Sequence, residues 1–217
     1  MPERPSEWHP EVLPAAWSRA ARDLAGRSLL SEFYLAGGTG LALQIGHRRS
    51  IDLDLFREAD VDSGSLRDRL RGQEGLERLA LAPGTAHLVL HGVKVSFLHY
   101  PYPLLFPLRS FGAVAVADRR DIACMKIEAI GNRGSRRDFV DLYVAAREHG
   151  LAYLFECFAR KYAAVSYSRT HLLKALVYFR DAEEEPLPDL LVPIDWSEVT
   201  QYFRAETPPL ARLLPDE

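Results

Sequence analysis

The spacing of apolar residues changes near residue 115, and this change constrains the fold more than any other feature of the sequence. Before it, short segments alternate polar and apolar residues, the pattern of strands with one solvated face. After it, four successive segments repeat their apolar residues at helical spacing. The sequence therefore predicts an α/β domain over residues 1–115, followed by a helical domain over residues 116–217.

The individual elements are predicted from the same patterns. Strands are predicted for FYLAG (33–37), SIDLDLF (50–56), LERLALA (76–82), AHLVLHG (86–92) and VKVSFLHY (93–100). Helices are predicted for residues 11–30, 39–46, 62–72, 118–132, 135–150, 151–164, 168–182 and 196–214. We expect His91-Gly92 to close a hairpin and Thr39 to cap the second helix. The three-proline stretch 100–112 is expected to lack regular structure.

Two aspartates, Asp52 and Asp54, interrupt an apolar run. Residues two apart on a strand face the same way, so both carboxylates are expected on one face, with Ile51, Leu53 and Leu55 in the core. Paired carboxylates repel each other, and a bound cation relieves the repulsion. Mg²⁺ suits such a pair because it binds one or two carboxylates together with substrate phosphates. The alternative interpretation of the aspartates alone is a solvated strand face.

A pair of glycines precedes the aspartates, and the segment between them is long enough for one short helix. Gly37 and Gly38 allow a ligand to approach the backbone closely, and a helix opening at Thr39 would direct N–H groups at an anion. Arg49 and Ser50 can add donors to the same phosphates. The glycines alone are also typical of a tight turn, but the combination with two aspartates predicts a site for a triphosphate and a metal ion.

These segments resemble a known superfamily. GGTGLALQIGHRRSIDLDLF resembles the first motif of the DNA polymerase β-like nucleotidyltransferases, and more closely that of the AbiEii/AbiGii toxin branch, which includes the MenT toxins. DIACMKIEAIGNRGSRRDFVDLYVA, residues 121–145, resembles the later lysine and aspartate motif of that branch. The resemblance implies an α/β (α+β) nucleotidyltransferase core with a mixed β-sheet and a C-terminal α-helical bundle that completes the active site.

The first motif implies a nucleotide and metal site. By resemblance, Gly38 and Thr39 contact nucleotide phosphates, whereas Asp52 and Asp54 hold Mg²⁺ and are catalytic. Ser50 lies where related toxins keep a serine near the nucleotide. The implied substrate is an NTP.

The second motif implies two further catalytic residues. By resemblance, Lys126 reaches the triphosphate and Asp141 serves at the catalytic centre. Without the resemblance, Lys126 is interpreted as a solvated helix residue. Asp138 shares a helix face with Asp141 at i, i+3 spacing, and we interpret it as a charge that complements the helix dipole.

The implied reaction is metal-dependent transfer of a nucleotide from an NTP to an acceptor hydroxyl. In the toxin branch the acceptor can be the 3′ end of tRNA, and a companion antitoxin protein neutralises the toxin. Residues 1–118, 119–180 and 181–217 carry net charges of −1, +6 and −8, which add to the −3 of the whole chain. The basic middle block suits RNA, with Arg133, Arg136 and Arg137 as candidate phosphate contacts.

One position departs from the superfamily pattern. Many nucleotidyltransferases carry a third carboxylate on a later strand, where this chain has Ser96. A hydroxyl cannot act as a general base unaided or neutralise a second metal, so either one metal ion suffices or Asp141 does the work. Ser96 also leaves open a non-catalytic module that binds a nucleotide or partner on the same fold. A separate alternative is an enzyme of the same kind that modifies a small molecule.

The expected location is the cytoplasm. No apolar run approaches the roughly 20 residues that cross a bilayer, and the N-terminus lacks the apolar stretch of a signal peptide. Cys124 and Cys157 are predicted to be small core residues and not a disulfide, which suits a reducing compartment.

Overall fold

A computed structural model describes residues 8–213 of the chain. The chain divides into two compact units, residues 1–118 and 119–217. The division falls after Asp118, whereas the sequence placed the boundary at residue 115. The later position has a physical reason: the last strand of the first unit runs to Val116, and the amide of Ala117 still donates to the carbonyl of Leu35, 2.9 Å away.

The first unit combines a seven-stranded sheet with short helices, counted over the described residues. Its helices are a 3₁₀ turn (Pro10–Val12), α1 (Ala15–Gly26), α2 (Gly37–Ile45) and α3 (Ser63–Leu70). Its strands are β1 (Tyr34–Leu35), β2 (Leu53–Arg57), β3 (Leu76–Ala82), β4 (Thr85–Leu90), β5 (Val93–His99), β6 (Arg109–Phe111) and β7 (Val114–Val116). The spatial order is β3-β4-β5-β2-β1-β7-β6. The pairs β2/β5 and β1/β7 are parallel and the other pairs are antiparallel, so the predicted mixed sheet is confirmed.

One face of the sheet packs into the core. Leu53 and Leu55 of β2 are fully buried and pair with Val95 and Phe97 of β5, which are buried as well. The prediction for Ile51 was wrong, because this side chain is 59% exposed. The strand begins only at Leu53, so the alternation between buried and solvated sides does not extend back to residue 51.

The hairpin predicted at His91-Gly92 is confirmed. Both residues have positive φ, 53° and 77°, which matches the two-residue turn that best fits the twist of paired strands. Leu90 and Val93 pair directly across the turn. By contrast, the prediction of no regular structure over residues 100–112 was partly wrong. Residues 109–111 form β6 and pair with β7, because all three prolines of the stretch precede them.

The second unit is helical, as predicted. Its helices are α4 (Arg119–Asn132), α5 (Arg136–His149), α6 (Leu151–Lys161), α7 (Arg169–Ala175), α8 (Arg180–Glu183) and α9 (Trp196–Leu213). The helix predicted over residues 168–182 is in fact two helices, α7 and α8, separated by a turn. The predicted last helix extended to Leu214, which lies outside the described residues.

Buried ion pairs lie inside the second unit. Lys161 and Asp121 are both fully buried, and their charged groups are 2.8 Å apart. The two cysteines, Cys124 and Cys157, are also buried and free, as the sequence predicted. Within residues 8–213, no helix combines the length and the apolar character that crossing a bilayer requires.

Candidate functional site

The start of α2 lies against the carboxylate of Asp54. Gly37, the first residue of this helix, has φ of +62°, a left-handed conformation that side chains disfavour. A Cβ atom added to Gly37 would lie 3.2 Å from Oδ2 of Asp54. In addition, the amide of Ala36 donates to the carbonyl of Asp54 at 3.2 Å. The glycine therefore keeps open the space in front of a carboxylate that a side chain would fill.

The sequence placed the helix start two residues too late. Ala36 is the N-cap, and no side chain caps this end of α2, so the prediction that Thr39 caps the helix was wrong. The backbone turns at Gly37 and the helix begins there, which makes Thr39 the third helical residue. An uncapped helix N-terminus directs N–H groups outward and favours anions.

Thr39 instead connects α2 to the segment before β2. Its side chain is buried, and its Oγ1 donates to the carbonyl of Asp52 at 2.6 Å. The same oxygen lies 2.7 Å from Oγ of Ser50. Because Thr39 donates its hydroxyl proton to the carbonyl of Asp52, Ser50 is the donor in the hydrogen bond between the two hydroxyls. The two hydroxyls thus position the backbone that presents Asp52.

The basic cluster before the aspartates is partly structural. Arg48 is buried, and its Nη1 donates to the carbonyl of Arg49 at 3.0 Å. The side chain of Arg49 is exposed, and the amide of Ser50 donates to the carbonyl of Val12 at 3.0 Å. Of the two arginines in this cluster, Arg49 is therefore the exposed one.

The aspartate pair lies at the start of β2. Asp52 precedes the strand by one residue, Asp54 is its second residue, and both are half-buried. Among residues 8–213, no group of three or more His, Cys, Asp or Glu side chains is arranged to hold a metal ion. Two carboxylates next to an open glycine turn fit Mg²⁺, which takes its remaining ligands from water and phosphate oxygens.

Asp54, Ser96 and His87 lie side by side on the adjacent strands β2, β5 and β4. Asp54 pairs with Ser96 across β2 and β5, and Ser96 pairs with His87 across β5 and β4. Nδ1 of His87 lies 3.1 Å from Oγ of Ser96. The sequence identified Ser96 as a departure from the superfamily pattern, and the superfamily motifs gave no reason to connect His87 with it. The signal was available, because a two-residue turn at 91–92 places residues 87 and 96 opposite each other.

Lys126 of the second unit is held by two carboxylates. Its Nζ lies 2.7 Å from Oδ1 of Asp138 and 2.8 Å from Oδ2 of Asp141, and all three side chains are nearly or fully buried. Burial alone would lower the pKa of Lys126, but the attraction of Asp141 and Asp138 outweighs it and holds the pKa above its ordinary value. Lys126 is therefore not the solvated residue that its sequence context alone suggested.

Asp138 has a larger role than its position predicted. Ser135 is the N-cap of α5 and accepts from the amide of Asp138, as expected for a first-turn residue. The Asp138 carboxylate also accepts from Oγ of Ser135 at 2.6 Å. Burial would raise the pKa of Asp138, but attraction to Lys126 and the hydrogen bonds lower it overall. The i, i+3 spacing of Asp138 and Asp141 places both on one helix face, and this was the sequence feature that indicated that they could share Lys126 as a partner.

The three arginines predicted to contact RNA differ in their surroundings. Arg133 and Arg137 are exposed, and Nε of Arg133 lies 3.5 Å from Asp138. Arg136 is half-buried, and its guanidinium donates to the carbonyls of Ala182 and Glu183 at 2.7 and 2.9 Å. Its charge is thus engaged by α8, which leaves Arg133 and Arg137 as the more accessible pair.

Comparison with known proteins identifies the family. Residues 93–216, more than half of the chain, match the family described as "Nucleotidyl transferase AbiEii toxin, Type IV TA system". This chain belongs to the AbiEii nucleotidyltransferase family. An uncharacterized protein of Aquifex aeolicus (strain VF5) is 37% identical over 191 residues, which cover 85% of this chain and 91% of the relative. The family suggested by the two sequence motifs is therefore confirmed.

Two solved structures share the fold of this AbiEii family member. A candidate nucleotidyltransferase from Helicobacter pylori has a TM-score of 0.55 at 17% identity, over 91% of this chain and 94% of the other. JHP933 from Helicobacter pylori has a TM-score of 0.52 at 17% identity, over 93% and 94% of the two chains. At this identity the likeness concerns the fold, and the predicted nucleotidyltransferase fold class is confirmed.

Proposed function

We propose that this AbiEii family member uses Mg²⁺ to transfer a nucleotide from an NTP to an acceptor hydroxyl, with the 3′ end of tRNA as the acceptor. The observation that supports this most directly is the contact between the start of α2 and Asp54. It puts a helix N-terminus, which favours phosphates, beside a carboxylate, which favours a divalent cation. An NTP bound to Mg²⁺ needs both features next to each other.

Different residues of the first unit would bind the phosphates and the metal ion. The backbone at Gly37 and Gly38 receives the phosphates, and the exposed Arg49 adds a cation that can pair with them. Asp52 and Asp54 would hold the metal ion, and the hydrogen bonds of Thr39 fix the backbone before β2. When bound, Mg²⁺ neutralises charge on the phosphates during transfer.

Transfer is an in-line displacement at the α-phosphorus. The acceptor oxygen forms a bond to this phosphorus as the bond to the leaving pyrophosphate oxygen breaks. The acceptor hydroxyl loses its proton in the same step. Positioning and charge stabilisation are the main contributions that a protein makes to such a reaction.

Lys126 and Asp141 are proposed on the family resemblance to act at the triphosphate and the catalytic centre. Their mutual ion pair gives them a structural role as well, because each neutralises the other in a buried position. An activity measurement on variants of these residues therefore needs a stability measurement beside it.

The charge of the second unit supports an RNA acceptor. Of the 12 basic and 6 acidic residues in 119–180, two lysines and three aspartates are buried in ion pairs. Excluding these, 10 basic and 3 acidic residues remain in the block. A cavity of about 310 Å³ in this unit is lined by Arg133, Lys174 and the exposed ring of Tyr178, among others. Cations with an exposed aromatic ring are typical of sites for unstacked nucleotides.

A companion antitoxin is the partner that we propose from the family. The Type IV toxin–antitoxin description of the matched family supports this proposal.

The test of the proposed function is transfer of label from α-labelled NTPs to tRNA, with Mg²⁺ or with EDTA. We expect label on tRNA with a free 3′ hydroxyl, and none on tRNA whose 3′ end has been oxidised with periodate. Asp52→Asn and Asp54→Asn should abolish transfer with little change in Tm. The control is Asp68→Asn, an exposed carboxylate on α3 that should change neither quantity.

Each alternative function has its own outcome in this experiment. Nucleotide binding without transfer to tRNA, protein or small hydroxyl compounds would support a binding module. Label on a small molecule alone would refute RNA as the acceptor. Full transfer by Asp54→Asn would refute the assigned metal site.

A further inference from the structure

Four side chains form a row across the sheet, on the side opposite the core. The row runs through Ala80 of β3, His87 of β4, Ser96 of β5 and Asp54 of β2, which are paired in register. The residues that alternate with them, such as Leu88 and Leu53, are buried in the core. Directly paired residues point to the same side of a sheet, so Asp54, Ser96 and His87 are neighbours on one surface.

The histidine is accessible and its contact with the serine is direct. His87 is exposed and Ser96 is half-buried, and the distance of 3.1 Å between Nδ1 and Oγ is that of a hydrogen bond. When Nε2 carries the ring proton, Nδ1 accepts from the serine hydroxyl. In this pair, the hydroxyl of Ser96 is next to Asp54, the proposed metal ligand. The imidazole of His87, the base, lies on the other side of Ser96.

The charged groups around His87 are few. The adjacent row contains Arg78 of β3 and Lys94 of β5, both paired with Val89 of β4 and both exposed. Asp54 is the carboxylate in the same row as His87, and Ser96 lies between the two residues. The imidazole therefore has cationic neighbours at diagonal positions, and no carboxylate occupies a position paired with it.

We propose that His87, acting through Ser96, accepts the proton of the attacking hydroxyl. This inference rests on the proposed function and adds a residue for which neither the sequence motifs nor the family supplied a role. The reaction needs a proton acceptor, and Asp52 and Asp54 are assigned to the metal. Asp141, which is proposed to act at the catalytic centre, is fully buried and paired with Lys126, so its role there is to hold Lys126 and not to accept the proton. The Ser96–His87 pair stands beside Asp54 and supplies the missing base.

The proton balance of the step is complete. Oγ of Ser96 takes the proton of the acceptor hydroxyl while its own proton passes to Nδ1 of His87. The acceptor oxygen bonds to the α-phosphorus, and the bond to the pyrophosphate oxygen breaks. The imidazolium then returns its proton to water. Positioned proton transfer of this kind contributes about 10²–10⁴-fold to the rate of a reaction.

The test uses His87→Gln, Ser96→Ala and Ser96→Asp in single-turnover transfer from a labelled NTP, together with NTP affinity and Tm. We expect His87→Gln to slow transfer about 10²-fold or more, with NTP affinity and Tm unchanged. Ser96→Ala should slow transfer similarly, and the double variant His87→Gln/Ser96→Ala should be no slower than either single one. The control is His99→Gln, an exposed histidine at the end of β5, which should retain the wild-type rate.

Two readouts separate a proton acceptor from a merely structural residue. The wild-type rate should depend on pH in a way that the rate of His87→Gln does not, because a proton acceptor works only in its unprotonated form. Ser96→Asp should restore transfer in the His87→Gln background, because a carboxylate beside Asp54 can accept the proton itself.

Failure of this inference is distinct from failure of the proposed function. If the wild type transfers nothing to any acceptor, the proposed function is refuted and the inference with it. If Asp54→Asn is inactive but His87→Gln keeps the wild-type rate, only the inference is overturned. A slow His87→Gln variant with the wild-type pH profile, or with a lowered Tm, would also overturn it.

Discussion

The ion-paired cluster of Lys126, Asp138 and Asp141 allows a quantitative prediction about stability. Replacing Lys126 with Met keeps a similar length of chain but removes the ammonium group that the two buried carboxylates share. Breaking a buried pair in this way costs about 3–5 kcal/mol. Each kcal/mol lowers the Tm of a chain of this size by about 2–4 °C, so Lys126→Met should lower it by roughly 6–20 °C.

The measurement is thermal unfolding at neutral pH, followed by circular dichroism and calorimetry. Lys174→Met is the matched control, because this lysine is exposed on α7, and its Tm should stay within the error of the wild type. The triple variant Lys126→Met/Asp138→Asn/Asp141→Asn should recover part of the loss, since it removes the uncompensated charges together.

The pH dependence of the same cluster has a defined sign. The pKa of Lys126 is raised, so its contribution is fully present below its ordinary pKa of 10.5 and is lost as pH rises through the higher folded value. The difference in stability between wild type and Lys126→Met should therefore be constant near neutral pH and shrink only in strong alkali. An unchanged Tm for Lys126→Met at pH 7 would refute the argument that these pairs stabilise the fold.

Three further predictions concern Gly37, Asp138 and Arg133. Gly37→Ala should abolish transfer and lower stability by about 1–2 kcal/mol, because its Cβ would lie 3.2 Å from a carboxylate oxygen at φ +62°. Gly72→Ala has the same backbone strain at φ +68° but open space around it, so urea unfolding should show a similar loss while transfer stays normal. Since the pKa of Asp138 is lowered, the stability that Asp138→Asn removes should be constant above about pH 4 and should vanish as pH falls further, in acid unfolding. Arg133→Ala should reduce the salt slope of tRNA binding by about 0.7–0.9, with exposed Arg67→Ala on α3 as the control, and an unchanged slope would remove Arg133 from the RNA contacts.

Local chemistry made much of the first unit predictable. The His91-Gly92 pair specified a tight hairpin, and the alternation of Leu53, Asp54 and Leu55 specified which side of β2 faces the core. These features depend on neighbours in sequence, so a single sequence is enough to predict them.

The errors arose where backbone geometry or distant contacts decide the structure. Thr39 has the ideal chemistry of an N-cap, but the carbonyl of Asp52, 13 residues later in the chain, is its actual partner. Ile51 continues an apolar alternation, but the strand has not yet begun at that residue. The Lys126 ion pairs join α4 to α5, and only the shared face of Asp138 and Asp141 indicated them.

The placement of His87 shows how local and long-range order combine in this fold. The hairpin turn sets His87 opposite Ser96, which depends on the sequence near the turn alone. The parallel pairing of β5 with β2 then sets Ser96 opposite Asp54, although more than 40 residues separate them, and no turn specifies that register. The buried pairs Leu53–Val95 and Leu55–Phe97 specify it instead, because a shift by one residue would move these side chains out of the core. The same shift would turn Ser96 and His87 away from the carboxylate. The packing of the core therefore determines which polar groups can meet on the opposite side of the sheet.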